Sequence, residues 1–587
     1  MKFYPLIIIL FTFLFIESCD SSDKEENKTI LPEALISAKG EKFYGKTLKV
    51  NSVEKFTSLF PSTITDIYSQ HISSQIYEGL LKFNPQDLTI EPCIAKSFET
   101  DSINSTYTFH LRNDVYFHND PCFKKSEGRR LKAKDIQFVF EFLCSKHDLN
   151  TASILWRNYI KGANDFFNRK VEHVEGIKVL NDSTIRIELV ESFPGFLNII
   201  ALNQTSIFPE EALTYYGDKL RQEVAVGTGP YMINEINEKV VLKKNKNYWK
   251  EDAFGNQLPF ISFIDIQFKD DKSQELIDFK NGELDFIWGV PIEEIQNVMG
   301  SLEDAKEGKN RAFTVQSINN LQVDYYGFVL TDSIFDNINL RKALNYSLNR
   351  QYIATYILNG SVLPATSGII PNMKNYPSEL VSGYDFSVDL AKSHLRKAGY
   401  RKGEDVPVLN LYYNKSGQVN ELVANEIKKQ IFNAIGVTIN LVDVERQELI
   451  QKIAASELPF WRYGWIADYP DPANFIMQFH SKNIDNTISN SSNFSKFTNE
   501  RFDLYFDQAM AEGNPEIRLK LLAQAEQVLM SEAAVIPLFY HTSIRLVNPD
   551  IVDFPVNKLE FRDYSKAYFS KRKKVRVYDN VENIEIQ

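Results

Sequence analysis

The chain has 587 residues, 43% hydrophobic and 13% aromatic, which is enough to bury a large core in as many as about four domains. Its formal charge of −11 argues against a nucleic-acid partner, which would need a basic surface. Four cysteines without a Cys-x-x-Cys spacing exclude a disulfide scaffold: with Cys19 set aside, Cys93, Cys122 and Cys144 allow one bridge at most.

In chain order, the first feature is an apolar run from Pro5 to Ile16 behind the single basic residue Lys2, closing on Glu17-Ser18-Cys19. A membrane span takes about 20 residues, so this run suits the hydrophobic region of a secretory signal instead. Ending at Cys19, it resembles a lipoprotein signal peptide (residues 1–18), which implies cleavage before Cys19 and lipid on its sulfur. The acidic, polar DSSDKEENK after it cannot pack and reads as the start of a solvated tether over residues 19–45.

Ser73 to Leu81 reads as an amphipathic helix turn, punctuated afterwards by Pro85 and Pro92. Tyr107 to Arg112 alternates cleanly, Asn113-Asp114 offers turn chemistry, and Val115 to His118 returns, which predicts a hairpin with an aromatic face. His110 and His118 sit at either end of that hairpin with no third ligand near in sequence, so a metal is not expected. Lys132 to Phe140 comes next as a helix with Asp135 near its start, where a carboxylate favours the helix dipole. A further strand covers Ile185 to Val190. The Gly227-Thr228-Gly229-Pro230 run is no phosphate loop, because Pro230 removes an amide and no P-loop lysine comes after it; it reads as a tight turn.

The second half alternates helix and strand. A strand spans Leu321 to Leu330, and Leu340, Ala343, Leu344, Ser347 and Leu348 share one helical face. Helices are predicted over Leu390 to Ala398, closed by Gly399, and over Leu422 to Ile435, closed by Gly436, with a strand from Val437 to Val444 after the second. In Pro459 to Phe475, Trp461, Tyr463 and Trp465 alternate with Arg462 and Gly464, as in a strand whose aromatic face lines something apolar. Asp468-Tyr469-Pro470-Asp471-Pro472 then breaks the strand, because each proline lacks a donor and holds its predecessor extended. A carboxylate in such a turn, in a partly dry wall, wants a cationic partner. A helix from Pro515 to Ser531 and a strand from Ala534 to Tyr540 complete the pattern, and the basic Lys571 to Lys574 reads as a solvated tail. This alternation predicts α/β architecture with a largely enclosed sheet.

Several of these stretches, in this order, resemble the extracytoplasmic solute-binding proteins of family 5, the oligopeptide- and dipeptide-binding lipoproteins of ABC importers. They are Ala95 to Phe98 with Tyr107 to His118, Lys132 to Phe140, Gly227 to Tyr231, Tyr248-Trp249, Gly282 to Phe286, Asn339 to Arg350 and Gly464 to Pro472. The insertion Pro121 to Arg130 departs from the family's short loop. The resemblance implies a two-lobed periplasmic-binding-protein fold of the class II type, with an extra N-terminal subdomain inserted in lobe I. The expected division is lobe I at 46–69, 190–315 and 533–587, the subdomain at 70–189, and lobe II at 316–532.

It further implies a monomer, lipid-anchored on the outer side of a membrane, that captures peptides between the lobes and delivers them to permease subunits. Asp468 would take the ligand's ammonium, and Trp461, Tyr463 and Trp465 would supply apolar wall. No cofactor, metal or catalytic residue is expected. The alternatives are a nickel chelate, haem, sugar or cationic metabolite in the same fold, or a hydrolase using Asp468 and Asp471 as an acid pair.

Overall fold

The computed structural model describes residues 34–571, apart from 102–103, 152, 194, 296, 299–312, 416–418 and 485–492. The signal run, Cys19, most of the tether and the basic residues 572–574 lie outside the described residues. The tether expectation fails at its end, because Ile36–Ser37 pairs antiparallel with Phe43–Tyr44.

The strands that organise the molecule are β1 (Thr47–Ser52), β2 (Ala95–Thr100), β3 (Thr106–Leu111), β4 (Ile177–Asn181), β5 (Thr184–Glu188), β6 (Tyr231–Ile236) and β7 (Val240–Lys244). They continue with β8 (Phe263–Phe268), β9 (Phe286–Trp288), β10 (Thr314–Phe328), β11 (Leu409–Tyr413), β12 (Ile439–Asp443), β13 (Phe460–Ile466) and β14 (Val535–Val547). The helices that pack on them include α1 (Ile67–Ile76), α2 (Ala133–Cys144), α3 (Ile338–Tyr346), α4 (Val388–Lys397), α5 (Val419–Ile435), α6 (Arg446–Ala454), α7 (Glu500–Ala511) and α8 (Pro515–Ser531).

One continuous sheet runs in the order β6-β7-β8-β1-β9-β14-β10-β13-β11-β12, and a separate sheet β2-β3-β5-β4 forms the inserted subdomain with α2 against it. The long antiparallel pair β10 and β14 belongs to both lobes. Thr314 to Asn319 pairs with Val547 to Thr542 beside the lobe I strand β9, and Val323 to Gly327 pairs with Tyr540 to Val535 beside the lobe II strand β13. The register shifts between Asn319 and Val323, so the pair bends where it passes from one lobe to the other.

Strand alternation distributes the lobe II core to both faces of its sheet. Val323, Tyr325 and Trp461 point to the cluster packed by α7 and α8, while Tyr326, Phe328 and Phe460 point to the one packed by α3, α4 and α5. The predicted helices of this half agree with α3, α4, α5 and α8 to within a few residues.

Three expectations are corrected. The hairpin after Leu111 does not form: β3 lies between β2 and β5, and Val115 and Phe117 instead bond to Leu131, just past the inserted segment, and to Arg129 within it. Alternation and turn residues identify strands but carry no information about a partner distant in sequence. The helix expected over Ser73 to Leu81 is α1, begun earlier by the Asp66 cap, whose side chain accepts from Ser69 N–H at 2.7 Å. The 69/70 boundary therefore cuts through α1. Cys93, Cys122 and Cys144 are all unbridged.

Motifs far apart in sequence meet at the buried Glu78. Its carboxylate accepts from Thr228 Oγ1 (3.0 Å), Tyr248 OH (2.7 Å) and Trp249 Nε1 (3.0 Å). Gly227 is required there, because a Cβ would lie 2.1 Å from the Ile76 carbonyl oxygen. His118 Nε2 bonds the Gly229 carbonyl at 2.9 Å, so that histidine fixes the turn against the first lobe.

Candidate functional site

Asp468 lies in the gap between the lobes. It lines a cavity of about 400 Å³ with Ile466 and Ala467 on the lobe II side and Asp66, Gln70, Asn203 and Gln204 on the lobe I side. A larger concavity, about 820 Å³, sits around Phe43, Phe254 and Tyr568 on lobe I. It includes no residue of the β13 turn, so position between the lobes, not volume, identifies the candidate site.

β13 ends at Ile466 because the proline turn cannot extend the ladder, and Asn474, fully buried behind the turn, holds the residues beyond it. Its side-chain oxygen accepts from Asp468 N–H (3.0 Å) and from Trp465 Nε1 (3.0 Å), and its amide donates to Asp468 Oδ2 (3.2 Å). Among the described residues no cation pairs with Asp468. Solvent reaches the side chain because it projects into the cavity, yet protein encloses it at longer range. The enclosure decides its proton affinity: burial holds the carboxyl above the usual carboxylate range, against the Asn474 hydrogen bond, which lowers it.

Asp471, the other acid of the turn, is already neutralised. It accepts from Ala473 N–H (2.9 Å) and forms an ion pair with Arg518 of α8 at 2.9 Å. A pair of free carboxylates facing one substrate is therefore not present in this turn.

The aromatic face of β13 requires correction. Trp461 is 0% exposed and packs over Gly327, where a Cβ would fall 2.1 Å from the indole ring. Its face of the strand looks into the lobe II core, so Trp461 cannot touch a ligand in this conformation. Trp465 is half-buried against the same core and serves to hold Asn474. Tyr463 lines a second cavity of about 290 Å³ beside Arg446, Arg462, Asn414 and Asn420. Ile466 lines both cavities, which makes them neighbours along β13. Burial raises the Tyr463 phenol above its usual range, with Arg446 lowering it and Asp468 adding to the rise.

Several participants carried no signal in the sequence. Tyr469, next to Asp468 on the lobe II turn, is buried among the hydrophobic residues of lobe I, so the lobes are closed on each other. Asn203 Nδ2 and Gln204 Oε1 are buried beside the cavity and have no hydrogen-bond partner among the described residues. Asn474 stands outside any recognisable spacing; only the fold returns it to Asp468.

Residues 89–487 match the family model described as bacterial extracellular solute-binding proteins, family 5 Middle. The oligopeptide-binding protein OppA of Bacillus subtilis is 29% identical, over 84% of this chain and 88% of its own length. Heme-binding protein A of Haemophilus influenzae is 26% identical, over 94% and 96%. Among solved structures, the periplasmic binding protein DppA of Helicobacter pylori in complex with peptide STSA superposes with a TM-score of 0.74 at 22% identity, covering 90% of this chain and 99% of that one. Haemophilus influenzae OppA in complex with RPPGFSPFR gives a TM-score of 0.71 at 23% identity, covering 89% and 99%. At these identities the superpositions establish the two-lobed fold.

Proposed function

Because the chain belongs to the bacterial extracellular solute-binding proteins of family 5, we propose that it captures peptides between its lobes and delivers them to the permease of an ABC importer. The observation that carries this reading is Asp468: an interlobe carboxylate without a protein cation, held by Asn474 and shifted by enclosure toward its neutral form. A ligand ammonium supplies the missing charge and makes the ionised form stable.

The backbone of an extended peptide has a place to pair. Among the described residues β11 pairs with β13 only at Tyr412 and Trp461, and none forms a strand along the edge of β13 away from β10 from Arg462 to Ile466. A strand added there satisfies donors and acceptors that every peptide possesses, which gives affinity without demanding particular side chains. Asn203 and Gln204 offer a donor and an acceptor from the opposite wall. Tyr469 reaches lobe I only when the gap closes, so closure and capture are one event. In the same proposal Cys19 carries the lipid that keeps the protein at the membrane while the lobes work outside it.

Native mass spectrometry of the protein, stripped of ligand and then offered a mixture of peptides, haem, sugars and nickel chelates, tests the reading. Retention of intact peptides with a free amine is expected. Selective retention of another class refutes it, and recovery of cleaved peptides moves the protein to the hydrolases.

A further inference from the structure

The bend at which the lobes join is braced by a segment that also lines the cleft. Between Asn319 and Val323, three residues of β10, Asn320 to Gln322, stand against the single residue His541 of β14. Such a bulge leaves its extra residues unpaired with the facing strand and lets the pair bend. Residues 557–561 supply partners instead. Leu321 N–H donates to the Lys558 carbonyl at 2.8 Å. The Asn320 side-chain amide donates to the Glu560 carboxylate (2.9 Å) and to Ser543 Oγ, and Ser543 Oγ donates to the same carboxylate oxygen at 2.7 Å. The Asn320 side-chain oxygen is buried and has no partner among the described residues, so Ser543 and Glu560 hold that side chain between them. Glu560 thereby ties β10 to β14 beside the bulge.

The bracing segment is itself held in place. Asn557, 2% exposed, accepts from Leu559 N–H (3.2 Å) and Phe561 N–H (3.0 Å), and its amide donates to the carbonyls of Pro85 (3.0 Å) and Phe561 (2.7 Å). His71 Nε2, from α1, donates to the Glu560 carbonyl at 3.0 Å. Glu560 has a φ of 56°, a left-handed conformation that strains any residue with a Cβ and persists where the surroundings over-determine it.

Both walls of the gap meet this segment. Leu559 and Phe561, on either side of Glu560, line the cavity that contains Asp468, whereas Glu560 itself does not. Leu559 packs against the apolar clusters of both lobes. Across the bulge, the Leu321 carbonyl accepts from Ala467 N–H at 2.9 Å, so the residue held by Lys558 also carries the base of the Asp468 turn. Hydrogen bonds therefore run without a break from residues 558–560 through the bulge to that turn.

We propose that Glu560 is a positioning residue for ligand capture: its carboxylate fixes the bend of β10 and β14 at the angle that brings Asp468 across to lobe I. The inference rests on the reading of the gap as the capture site. Loosening the bend lowers the fraction of molecules in the closed, binding-competent form, and apparent affinity falls in proportion.

The test compares the unaltered full chain with Glu560→Gln and Glu560→Gly. Gln keeps an acceptor oxygen for Asn320 and Ser543; Gly removes it but suits the positive φ, so the backbone turn is retained. In X-ray scattering without ligand, the Gln protein should match the unaltered one and the Gly protein should have a larger radius of gyration. In calorimetry with tri-, tetra- and pentaalanine, Glu560→Gly should lose about tenfold or more in affinity, the scale of hydrogen bonds to a charged group, and Glu560→Gln less than about threefold. Ser543→Ala removes the β14 side of the same clamp and should shift both readouts as Gly does, which carries the test if Glu560→Gly does not fold. A lower melting temperature with unchanged scattering and affinity reduces Glu560 to a structural role and overturns the proposal. Equal losses in the Gln and Gly proteins overturn it as well, because an acceptor oxygen would then not be what holds the bend. If none of the three peptides binds the unaltered protein, it is the peptide reading that fails, and the scattering curves without ligand decide the role of Glu560 by themselves.

Discussion

Replacing Asp468 by Asn keeps the shape of the side chain and removes its charge. The carboxylate has one internal donor, Asn474 Nδ2 at 3.2 Å, out of about four lone-pair directions, so the remainder is free for an ammonium. In the variant, the ligand's ammonium meets an amide in an enclosed site. Truncating one partner of a buried, hydrogen-bonded charge pair costs about 2–5 kcal/mol, or ~30-fold to a few thousandfold in affinity. The pH dependence carries a sign. Binding an ammonium lowers the Asp468 pKa, which is already raised in the free protein, so affinity is full above the free-state pKa and falls as pH drops through it. Isothermal titration of one peptide and its N-acetyl form against both proteins completes a double-mutant cycle. Either alteration alone should remove most of the affinity, and the two together little more. Unchanged affinity of Asp468→Asn for the free-amine peptide would falsify the ammonium assignment, whatever else the cleft binds.

Tyr469→Ala removes the side chain that crosses into the apolar cluster of lobe I. It should weaken peptide affinity by about tenfold or more and enlarge the radius of gyration seen by X-ray scattering, since loss of a buried aromatic costs a few kcal/mol in the closed state alone; unaltered scattering and affinity contradict its role in closure. Gly327→Ala forces a methyl group into the Trp461 ring and should cost about 1–3 kcal/mol of stability, read as a lower melting temperature, while peptide affinity holds within about threefold. A loss of affinity without a loss of stability would instead return Trp461 to the ligand. Glu526 is buried where it accepts from Ile369 N–H, Ile370 N–H and Tyr376 OH, and burial pushes its carboxyl up to about 7 against those bonds. A carboxyl raised on folding binds its proton more tightly in the native state, so stability should decline by about 3 kcal/mol as pH rises from about 4.5 to 7. Glu526→Gln should flatten that slope in denaturation curves, and parallel curves for the two proteins would refute the account.

The features legible along the chain concern residues whose neighbours are local. The helix faces of α3 and α5, the Asp135 start of α2 and the proline break after β13 all arise from spacing and backbone chemistry within one element. Asp468 belongs to the same class, since a carboxylate in a proline turn after an aromatic strand is visible without coordinates. The orientation of that strand was not visible. Period-2 alternation puts Trp461, Tyr463 and Trp465 on one face but leaves open whether the face meets ligand or core, and the packing of Trp461 on Gly327 directs it to the core.

The sequence by itself therefore determined the α/β class, the family pattern and the charged turn, because these depend on short-range periodicity and on which residues can continue a strand. Tertiary structure alone decided which charges remain available: Asp324 claims Arg462, Arg518 claims Asp471, and Asp468 is left facing the gap. Ion pairing depends on distances of a few ångströms between segments tens to hundreds of residues apart, and those distances exist only once β10 and β14 have joined the two lobes.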